Sequence, residues 1–354
     1  MKIDLIIPTY KPDENFLELV KLMENQSIEL NKIIVINTEQ KFFDRMTYTS
    51  TFSSKYKNLE VRHISKKEFD HGKTRNEAVK RSDADYFLMM TQDAKPVDDR
   101  LVETLLKRLK EDESLAAVYA RQIPRDDADE AERYARLFNY PKESEVHSLA
   151  DVKHKGIKAY YCSNVCAMYR RSTFDELGGF LNHVIFNEDM LYAAKAINSG
   201  YRIAYEAEAM VVHSHSYKNK QQYKRYFDNG VSHAKHPEIF NDLPAEGEGM
   251  RLVKGTIAHL NRTGHALKVI PFIVQSGYKY LGFKAGLHYK RFSSRGIAKR
   301  TLNPEYWMMD ELMRDRSNLD VYQGYGKSEE ELRMLAAPPV GVRSEERRNG
   351  ESIK

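Results

Sequence analysis

The stretch YFLMMTQDAKP, residues 86–96, joins a run of apolar residues to a polar turn that holds a single carboxylate, Asp93. The run from Tyr86 to Met90, closed off by Pro96, is typical of a strand buried inside a sheet. A lone acid after such a strand is either a solvated loop residue or part of a site at the end of the sheet. The flanking segments decide between these readings.

Strand and helix patterns alternate through the first 123 residues. The strand-like runs are IDLII (3–7), KIIVIN (32–37), LEVRHIS (59–65), YFLMM (86–90) and LAAVYARQI (115–123), and helical spacing separates them, for example in TRNEAVKRS (74–82). This alternation predicts an α/β fold with a mostly parallel, Rossmann-like nucleotide-binding sheet and helices on both faces. Ligands of such sheets bind beyond the carboxyl ends of the strands. Thr9, Asn37, Asp70 or His71, and Asp93 all fall there, which favours a functional Asp93.

The composition indicates a globular protein. The 354 residues are 41% hydrophobic, and two cysteines, Cys162 and Cys166, are too few for a disulfide framework. The N-terminus MKIDLIIPTY turns polar too early for a signal peptide, and no window reaches about 18 consecutive apolar residues. We therefore expect a cytoplasmic protein, with peripheral attachment to the inner face of the cell membrane as an option.

The positive charge is concentrated near the C-terminus. Residues 251–304 contain 11 Lys and Arg and no Asp or Glu, so the rest of the chain has 45 basic against 51 acidic residues. The segment 265–292 mixes apolar, aromatic and basic residues, a composition typical of an interfacial helix on an anionic membrane. Packing against the N-terminal α/β domain or a homodimer interface explains it equally well. Nucleic acid is not expected as a partner, because no recognised module is present.

The sequence FDHGKTRNEA, residues 69–78, places several groups suited to a diphosphate at a strand-to-helix junction. Gly72 permits close approach of the backbone, the helix start offers N–H groups, and Lys73 or Arg75 can neutralise phosphate. The alternative is a capped surface helix with solvated charges. Neither the P-loop nor the dinucleotide-binding glycine pattern is present.

Two later motifs carry further acid and imidazole groups. In LGGFLNHVIFNEDMLY, residues 177–192, a glycine pair forms a tight turn and Glu188-Asp189 open a helix. These acids either complement the helix dipole or supply a general base for a hydroxyl. In VVHSHSY, residues 211–217, His213 and His215 share one face of a strand, where either can pack or bind Mg²⁺ or Mn²⁺ beside a carboxylate.

The order IIPTY, TQDA, GGF…NEDMLY and HSHSY resembles the inverting glycosyltransferases of family 2, which have the GT-A fold. FDHGKTRNEA together with TQDAKP resembles the rhamnosyltransferase branch of that family. The resemblance covers about residues 1–235, and it adds a helical C-terminal extension to the expected fold.

The resemblance implies a role for each matching residue. Residues expected at the sugar nucleotide are Pro8, Thr9, Tyr10, Asn37, His71, Gly72, Arg75, Asn76, Gln92 and Asp93. Asp93 and His213 are expected to bind the Mg²⁺ or Mn²⁺ cofactor, and Asp189 to be the catalytic base. Gly179, Phe180 and Glu188 are expected in the acceptor region.

The chain departs from the family pattern at two places. The D-x-D motif is reduced to Thr91-Gln92-Asp93, which retains only the last carboxylate. After the second strand, where many members have acids that read the base, this chain has INTEQ, with Asn37 and Glu39 as substitutes. The nucleobase is therefore inferred from the branch.

The expected activity is inverting, metal-dependent transfer of L-rhamnose from dTDP-β-L-rhamnose to a lipid-linked glycan of a bacterial cell-surface polysaccharide. Alternatives are a family 2 transferase that uses a UDP-hexose or UDP-N-acetylhexosamine, and a non-catalytic scaffold that binds sugar nucleotides. The predicted domains are 1–240, with a nucleotide-sugar half (1–123) and an acceptor half (124–240), then a basic helical region (241–340) and a disordered tail (341–354).

Overall fold

A mixed β-sheet forms the centre of the protein. The structure, a computed structural model, describes residues 1–47, 56–214, 217–241 and 246–308. The strands in these ranges are β1 Ile3–Tyr10, β2 Lys32–Thr38, β3 Leu59–Ile64, β4 Tyr86–Met90, β5 Lys95–Pro96, β6 Leu115–Ile123, β7 Glu145–His147, β8 Cys166–Arg170 and β9 Arg202–Val212. Their order in the sheet is β3-β2-β1-β4-β8-β6-β9-β5, and β7 pairs with β9.

The sheet is mostly parallel, as predicted, with one antiparallel strand in its interior. β1 to β4 are parallel neighbours, and β6 is parallel to β9, but β8 runs antiparallel to both β4 and β6. The excursion between β6 and β8 begins and ends at the same edge of the sheet. The chain must therefore re-enter the sheet in the opposite direction, and the excursion stays at the carboxyl edge of the parallel strands.

The pattern of GYRIAYEAEAMVVHSHSY, residues 200–217, predicts two short strands. This prediction is wrong, because residues 202–212 form one strand. β9 pairs with β6 in two registers, Ala120 opposite Glu206 and then Arg121 opposite Met210. This irregularity lets one long strand bend and also pair with β5 and β7. His215 lies outside the described residues, and its predicted role stays a prediction.

Helices cover both faces of the sheet. They are α1 Glu14–Glu24, α2 Gln40–Thr47, α3 His71–Val79, α4 Leu101–Glu111, α5 Glu130–Asn139, α6 Leu149–Lys155, α7 Arg171–Glu176, α8 Glu188–Asn198, α9 Asn219–Lys235, α10 Pro237–Phe240, α11 Glu246–Arg262, α12 Val269–Leu287 and α13 Ser294–Arg300. Successive residues of β1 point to opposite faces: Leu5 lies in one hydrophobic core with Phe16 of α1, and Ile6 lies in the other with Ala193 of α8.

The predicted C-terminal helical extension is present and packs closely on the rest of the protein. α9 and α12 approach each other closely at two glycines. A Cβ on Gly282 of α12 would lie 2.2 Å from the backbone oxygen of Tyr223, and a Cβ on Gly230 of α9 would lie 2.2 Å from the backbone oxygen of Phe283. None of the helices in the described ranges combines the length with the hydrophobicity that crossing a bilayer requires.

Residues Met1–Asn303 form one compact unit, and a second begins at Pro304. The helices α11 to α13 belong to the first unit. A separate functional region that begins after residue 240 stays a prediction. The tail at 341–354 lies outside the described residues.

Candidate active site

The carboxyl ends of β1 and β4 are tied together by Gln92. Its side-chain amide donates to the Tyr10 carbonyl (3.2 Å) and its Oε1 accepts from the Tyr10 N–H (2.9 Å). Both hydrogen-bonding functions of this amide are therefore engaged with the backbone. Gln92 fixes the relative position of the two strand ends, and Asp93 follows directly after it.

A row of polar side chains crosses the ends of β1, β2 and β3. Thr9 Oγ1 donates to Asn37 Oδ1 (3.1 Å), and Asn37 Nδ2 lies 3.0 Å from His63 Nδ1. Thr9 pairs with Asn37 in register and Asn37 pairs with His63, so parallel pairing itself aligns the row. Pro8 precedes it and is half-buried. His63 was not predicted, although its place at the end of a strand is the same signal that singled out Thr9 and Asn37.

Tyr10 presents an aromatic surface next to this row. Its side chain is 41% exposed, and its ring meets Phe42 of α2 edge to face at 5.7 Å between centroids. Lys11 Nζ lies 5.2 Å from the Tyr10 centroid and 5.1 Å from that of Phe42. An exposed ring with an adjacent cation is suited to stack a base and attract a phosphate.

Asp93 faces His213 at the carboxyl edge. His213 Nε2 lies 3.6 Å from Asp93 Oδ2, and His213 Nδ1 lies 2.8 Å from Gln122 Oε1. The Gln122 oxygen also accepts from Arg136 (2.6 Å), while its Nε2 donates to Ser163 Oγ (2.9 Å). An amide oxygen can only accept, so His213 carries its proton on Nδ1 when neutral. Burial lowers the pKa of His213 although Asp93 raises it, which favours that neutral form.

This pair offers two of the ligands that a divalent cation needs. The lone pair of neutral His213 Nε2 and the Asp93 carboxylate face each other, and both are ligands suited to Mn²⁺ or Mg²⁺. Within the described ranges, no group of three or more His, Cys, Asp or Glu residues forms a complete shell. The two side chains fit a cation only if other oxygens, such as those of a diphosphate, complete its coordination.

The start of α3 differs from the anion site that the sequence predicted. Asp70 caps this helix and accepts from the N–H groups of Gly72 (3.1 Å), Lys73 (2.7 Å) and His183 (3.2 Å). The Gly72 and Lys73 N–H groups already donate to Asp70, so they are not available to bind a phosphate. A Cβ on Gly72 would lie 1.7 Å from the Leu181 oxygen, so Gly72 permits close approach of the 181–184 loop.

Asn76 holds the glycine turn that precedes α8. It donates to the Phe180 carbonyl (2.8 Å) and accepts from the Phe180 N–H (3.0 Å). Gly178 and Gly179 have φ of 71° and 72°, as the predicted tight turn requires. The Phe180 side chain is buried against Phe174 and Tyr192, and its place in the acceptor region stays a prediction.

Glu188 lies in a buried ion pair at the start of α8. Its Oε1 is 3.2 Å from Arg75 Nε and accepts from Asn164 Nδ2 at 3.0 Å, and its Oε2 is 3.8 Å from His71 Nδ1. Burial raises the pKa of Glu188, but Arg75 and then His71 outweigh it and lower the pKa overall. Arg75, predicted to contact the sugar nucleotide, is 7% exposed and neutralises Glu188.

Asp189, the next residue, has a different environment. Its Oδ2 accepts from the Asn164 N–H and its Oδ1 from its neighbour Met190 N–H, both at 2.8 Å. Burial and the negative charge of Glu188 raise its pKa to about 7. The side chain is half-buried and fixed in orientation. A carboxylate that titrates near neutral pH can accept a proton from a hydroxyl and release it again.

Two adjacent residues, Ser163 and Asn164, connect the two halves of the site. Ser163 Oγ accepts from Gln122, which orients His213, while Asn164 contacts both Glu188 and Asp189. The Asp93–His213 pair and the Glu188–Asp189 pair are thus attached to one short segment before β8. Sequence reasoning missed this segment because SNV carries no recognisable pattern.

α9 closes the site from the C-terminal side. Asn187, which has φ of 66°, donates to Asn229 Oδ1 (2.7 Å), and Ser232 Oγ donates to the Phe186 carbonyl (2.8 Å). Arg225 lies 4.8 Å from the centroid of Phe186. Burial is the main cause that lowers the pKa of both His71 and His213, and the charge of Arg225 contributes in each case. Arg225, also missed from sequence, is a cation near both imidazoles.

Comparison with known proteins agrees with this geometry. Glycosyl transferase family 2 matches residues 4–178. O-antigen chain rhamnosyltransferase RfbN of Salmonella typhimurium (strain LT2) is 40% identical over 314 residues, 87% of this chain and 96% of the relative. O-antigen chain rhamnosyltransferase WbaN of Salmonella anatum is 38% identical over 311 residues, 86% and 95% of the two chains.

Among solved structures, the mannosyltransferase PcManGT from Pyrobaculum calidifontis, in complex with GDP-Man and Mn²⁺, superposes with a TM-score of 0.57 at 15% identity. The match covers 82% of this chain and 88% of that chain, which shows a shared fold. The expected GT-A fold is therefore confirmed. By fold and by sequence, the chain belongs to glycosyltransferase family 2.

Proposed function

We propose that the protein transfers L-rhamnose from dTDP-β-L-rhamnose to a hydroxyl of a lipid-linked glycan, with inversion at the anomeric carbon. The observation that carries the proposal is Asp189, a half-buried carboxylate held by two N–H groups and with a pKa of about 7. The names of the two relatives, both O-antigen chain rhamnosyltransferases, support rhamnose as the sugar.

Asp189 acts as the general base. The Asn164 and Met190 N–H groups fix the carboxylate, so a lone pair can face the acceptor hydroxyl. As the acceptor oxygen attacks the anomeric carbon, its proton passes to Asp189 and the bond from that carbon to the diphosphate breaks. One displacement inverts the configuration and gives an α-L-rhamnoside, and no carboxylate nucleophile is needed.

Asp93 and His213 would hold Mg²⁺ or Mn²⁺ together with the donor diphosphate. The cation supplies charge neutralisation for the leaving diphosphate. Gln122 keeps the Nε2 lone pair of His213 directed at Asp93, and Arg225 adds a fixed positive charge nearby. In the Thr91-Gln92-Asp93 motif, Gln92 is bonded to the Tyr10 backbone, so Asp93 would be the only carboxylate that the motif offers to the cation.

The nucleoside would bind at the ends of β1 to β3. Tyr10 offers a ring for stacking, and the Thr9–Asn37–His63 row offers hydrogen-bonding groups to a pyrimidine. The acceptor would enter at the start of α8, where Asn187 precedes Glu188 and Asp189. We infer that the reaction takes place at the cytoplasmic face of the membrane, because the proposed acceptor is lipid-linked.

Donor binding and slow hydrolysis by purified protein test this proposal. The donors are dTDP-rhamnose, UDP-glucose, UDP-galactose and UDP-N-acetylglucosamine, each with Mn²⁺, with Mg²⁺ and with a chelator. The proposal predicts metal-dependent binding and hydrolysis of dTDP-rhamnose. Preference for a UDP-sugar would overturn the rhamnose assignment, and binding without turnover of any donor, even with acceptor glycans, would favour the scaffold.

A further inference from the structure

We propose that the outward face of α12 and the turn before it form a docking surface for an anionic bilayer. The inference rests on the proposed function, since it concerns how that site reaches a lipid-linked acceptor. The surface, called here the outer stripe, consists of Leu267, Ile270, Ile273, Val274, Tyr278 and Leu281.

The outer stripe is continuous and unusually exposed. Leu267 is 93% exposed, Ile270 73% and Leu281 60%. The spacing of its members follows one side of a helix, so Ile270, Val274 and Leu281 lie on a single face of α12. A contiguous apolar face of this kind marks an interaction site, whereas single exposed apolar residues need no explanation.

The opposite face of α12 is already satisfied by packing. Gly282 and Gly286 allow the α12 backbone to approach α9 closely, near Tyr223 and Phe227. The fold therefore does not need the outer stripe for its own core. Internal packing and membrane contact, treated as alternatives from the sequence, occupy different faces of the same helix.

Charge favours an anionic partner over a second copy of the chain. Residues 251–304 contain 11 Lys and Arg and no acid. Exposed basic residues lie before the stripe at Arg262, between its first two members at Lys268, and after it at Lys290, Arg291 and Arg295. A two-fold dimer through this face would bring like charges together. An anionic lipid surface attracts each of them and accepts the apolar stripe at its boundary.

The docking surface is linked through α9 to the start of α8, where Asp189 lies. α9 contacts α12 through Gly230, and the adjacent Asn229 accepts from Asn187, the residue immediately before Glu188 and Asp189. Ser232 of the same helix holds the Phe186 carbonyl. One helix therefore separates the outer stripe from the base, so docking would hold Asp189 near the layer where the sugar of a lipid-linked acceptor emerges.

Vesicle sedimentation tests the inference with the full-length protein. The probes are phosphatidylcholine vesicles and vesicles that also contain phosphatidylglycerol. We expect binding to the anionic vesicles, weakened by salt, and little binding to the neutral ones. Ile270→Ser/Val274→Ser/Leu281→Ser should abolish binding. The matched control Val97→Ser/Leu137→Ser/Leu149→Ser removes apolar residues of similar exposure elsewhere and should bind as the wild type does.

A charge variant tests the proposal independently, in case the stripe variant fails to fold. Lys268→Gln/Lys290→Gln/Arg291→Gln changes only exposed side chains and should weaken binding to anionic vesicles by about a hundredfold. Hydrolysis of dTDP-rhamnose without vesicles should be unchanged in every variant. If the wild type does not hydrolyse dTDP-rhamnose, that result counts against the proposed function but not against the docking surface.

Two results would overturn the docking proposal. One is vesicle binding that persists in both the stripe and the charge variants. The other is a wild-type dimer that ignores vesicles and becomes monomeric in the stripe variant, as measured by light scattering, which would assign the stripe to a second copy.

Discussion

Glu188 and Asp189 are adjacent at the start of α8, and their carboxyl groups have pKa values shifted in opposite directions. For Glu188, Arg75 and His71 outweigh burial and lower the pKa. For Asp189, burial and the charge of Glu188 raise the pKa to about 7. Such divergence separates the roles of two like groups. Glu188 is the structural partner of a buried arginine, and Asp189 is the group able to exchange a proton near neutral pH.

The raised pKa of Asp189 predicts a pH profile. The base must be deprotonated to accept the acceptor proton, so kcat/KM should rise about tenfold per pH unit below the pKa and level off above about pH 7. Initial rates with a fixed acceptor at saturating metal would measure this. A rate that is independent of pH from 5 to about 8 would argue against Asp189 as the base.

The same shift predicts how stability depends on pH. Asp189 has a native pKa of about 7 against an ordinary 3.8, so the native state binds more protons between these values. Its contribution to the free energy of unfolding therefore falls as pH rises through that window. The unfolding temperature of Asp189→Asn relative to the wild type should therefore rise from pH 4 to pH 8, because the variant lacks the group that titrates. Asp228, with a native pKa also raised to about 7, remains as a background contribution in both proteins.

Removing the charge of Glu188 should destabilise the fold. Glu188→Gln leaves the guanidinium of Arg75, 7% exposed, without its anionic partner, and breaking a buried pair costs about 3–5 kcal/mol. Glu77→Gln, also in α3, removes the exposed pair with Lys80 and should cost less than about 1 kcal/mol. Denaturant unfolding measures both, and equal costs would contradict a structural role for Glu188.

Gln122 should control metal affinity through His213. Gln122→Leu removes the acceptor that holds the proton on Nδ1, so the Nε2 lone pair loses its orientation toward Asp93. We expect affinity for Mn²⁺ in the presence of dTDP to fall about 10- to 100-fold. Gln26→Leu, which removes an amide bonded to Asp98 and Val102, is the control and should leave affinity unchanged. Equal Mn²⁺ affinity in wild type and Gln122→Leu would refute the assignment.

Gly72 should tolerate no side chain. Gly72→Ala places a Cβ 1.7 Å from the Leu181 oxygen, which forces the 181–184 loop away from α3 and should cost about 2 kcal/mol or more. Gly249, in α11, has open space around it, so Gly249→Ala should stabilise the protein by up to about 1 kcal/mol. Thermal unfolding of the two variants compares them. Similar melting temperatures would mean that the loop moves freely.

Local pattern predicted much of the fold. The runs that became β1 and β4 are apolar and bounded by turn residues, so their type follows from composition alone. The antiparallel β8 and the single bent β9 depend on which strands they join, and that choice is made by contacts far along the chain. Periodicity contains no information on such partners.

The sequence also predicted only part of the candidate site. Asp93, Asp189 and His213 lie in motifs with their own local chemistry, and the sequence alone selected them as candidates. Gln122 and Asn164 lie in unremarkable segments and gain importance only because they bond to residues 91 and 25 positions away. Asp70 is a case where the local motif was misleading. The sequence suggested that N–H groups at the start of α3 are available to a phosphate, but Asp70 caps the helix and accepts from them.

The most direct measurement is steady-state transfer and donor binding by Asp189→Asn, with wild type and Glu77→Gln in parallel. Asparagine keeps the size and an acceptor oxygen but cannot take up the acceptor proton. Turnover should fall about 10²- to 10⁴-fold while affinity for dTDP-rhamnose with Mn²⁺ stays that of the wild type. Turnover within a few-fold of wild type, or a matching loss of donor affinity, would contradict Asp189 as the base.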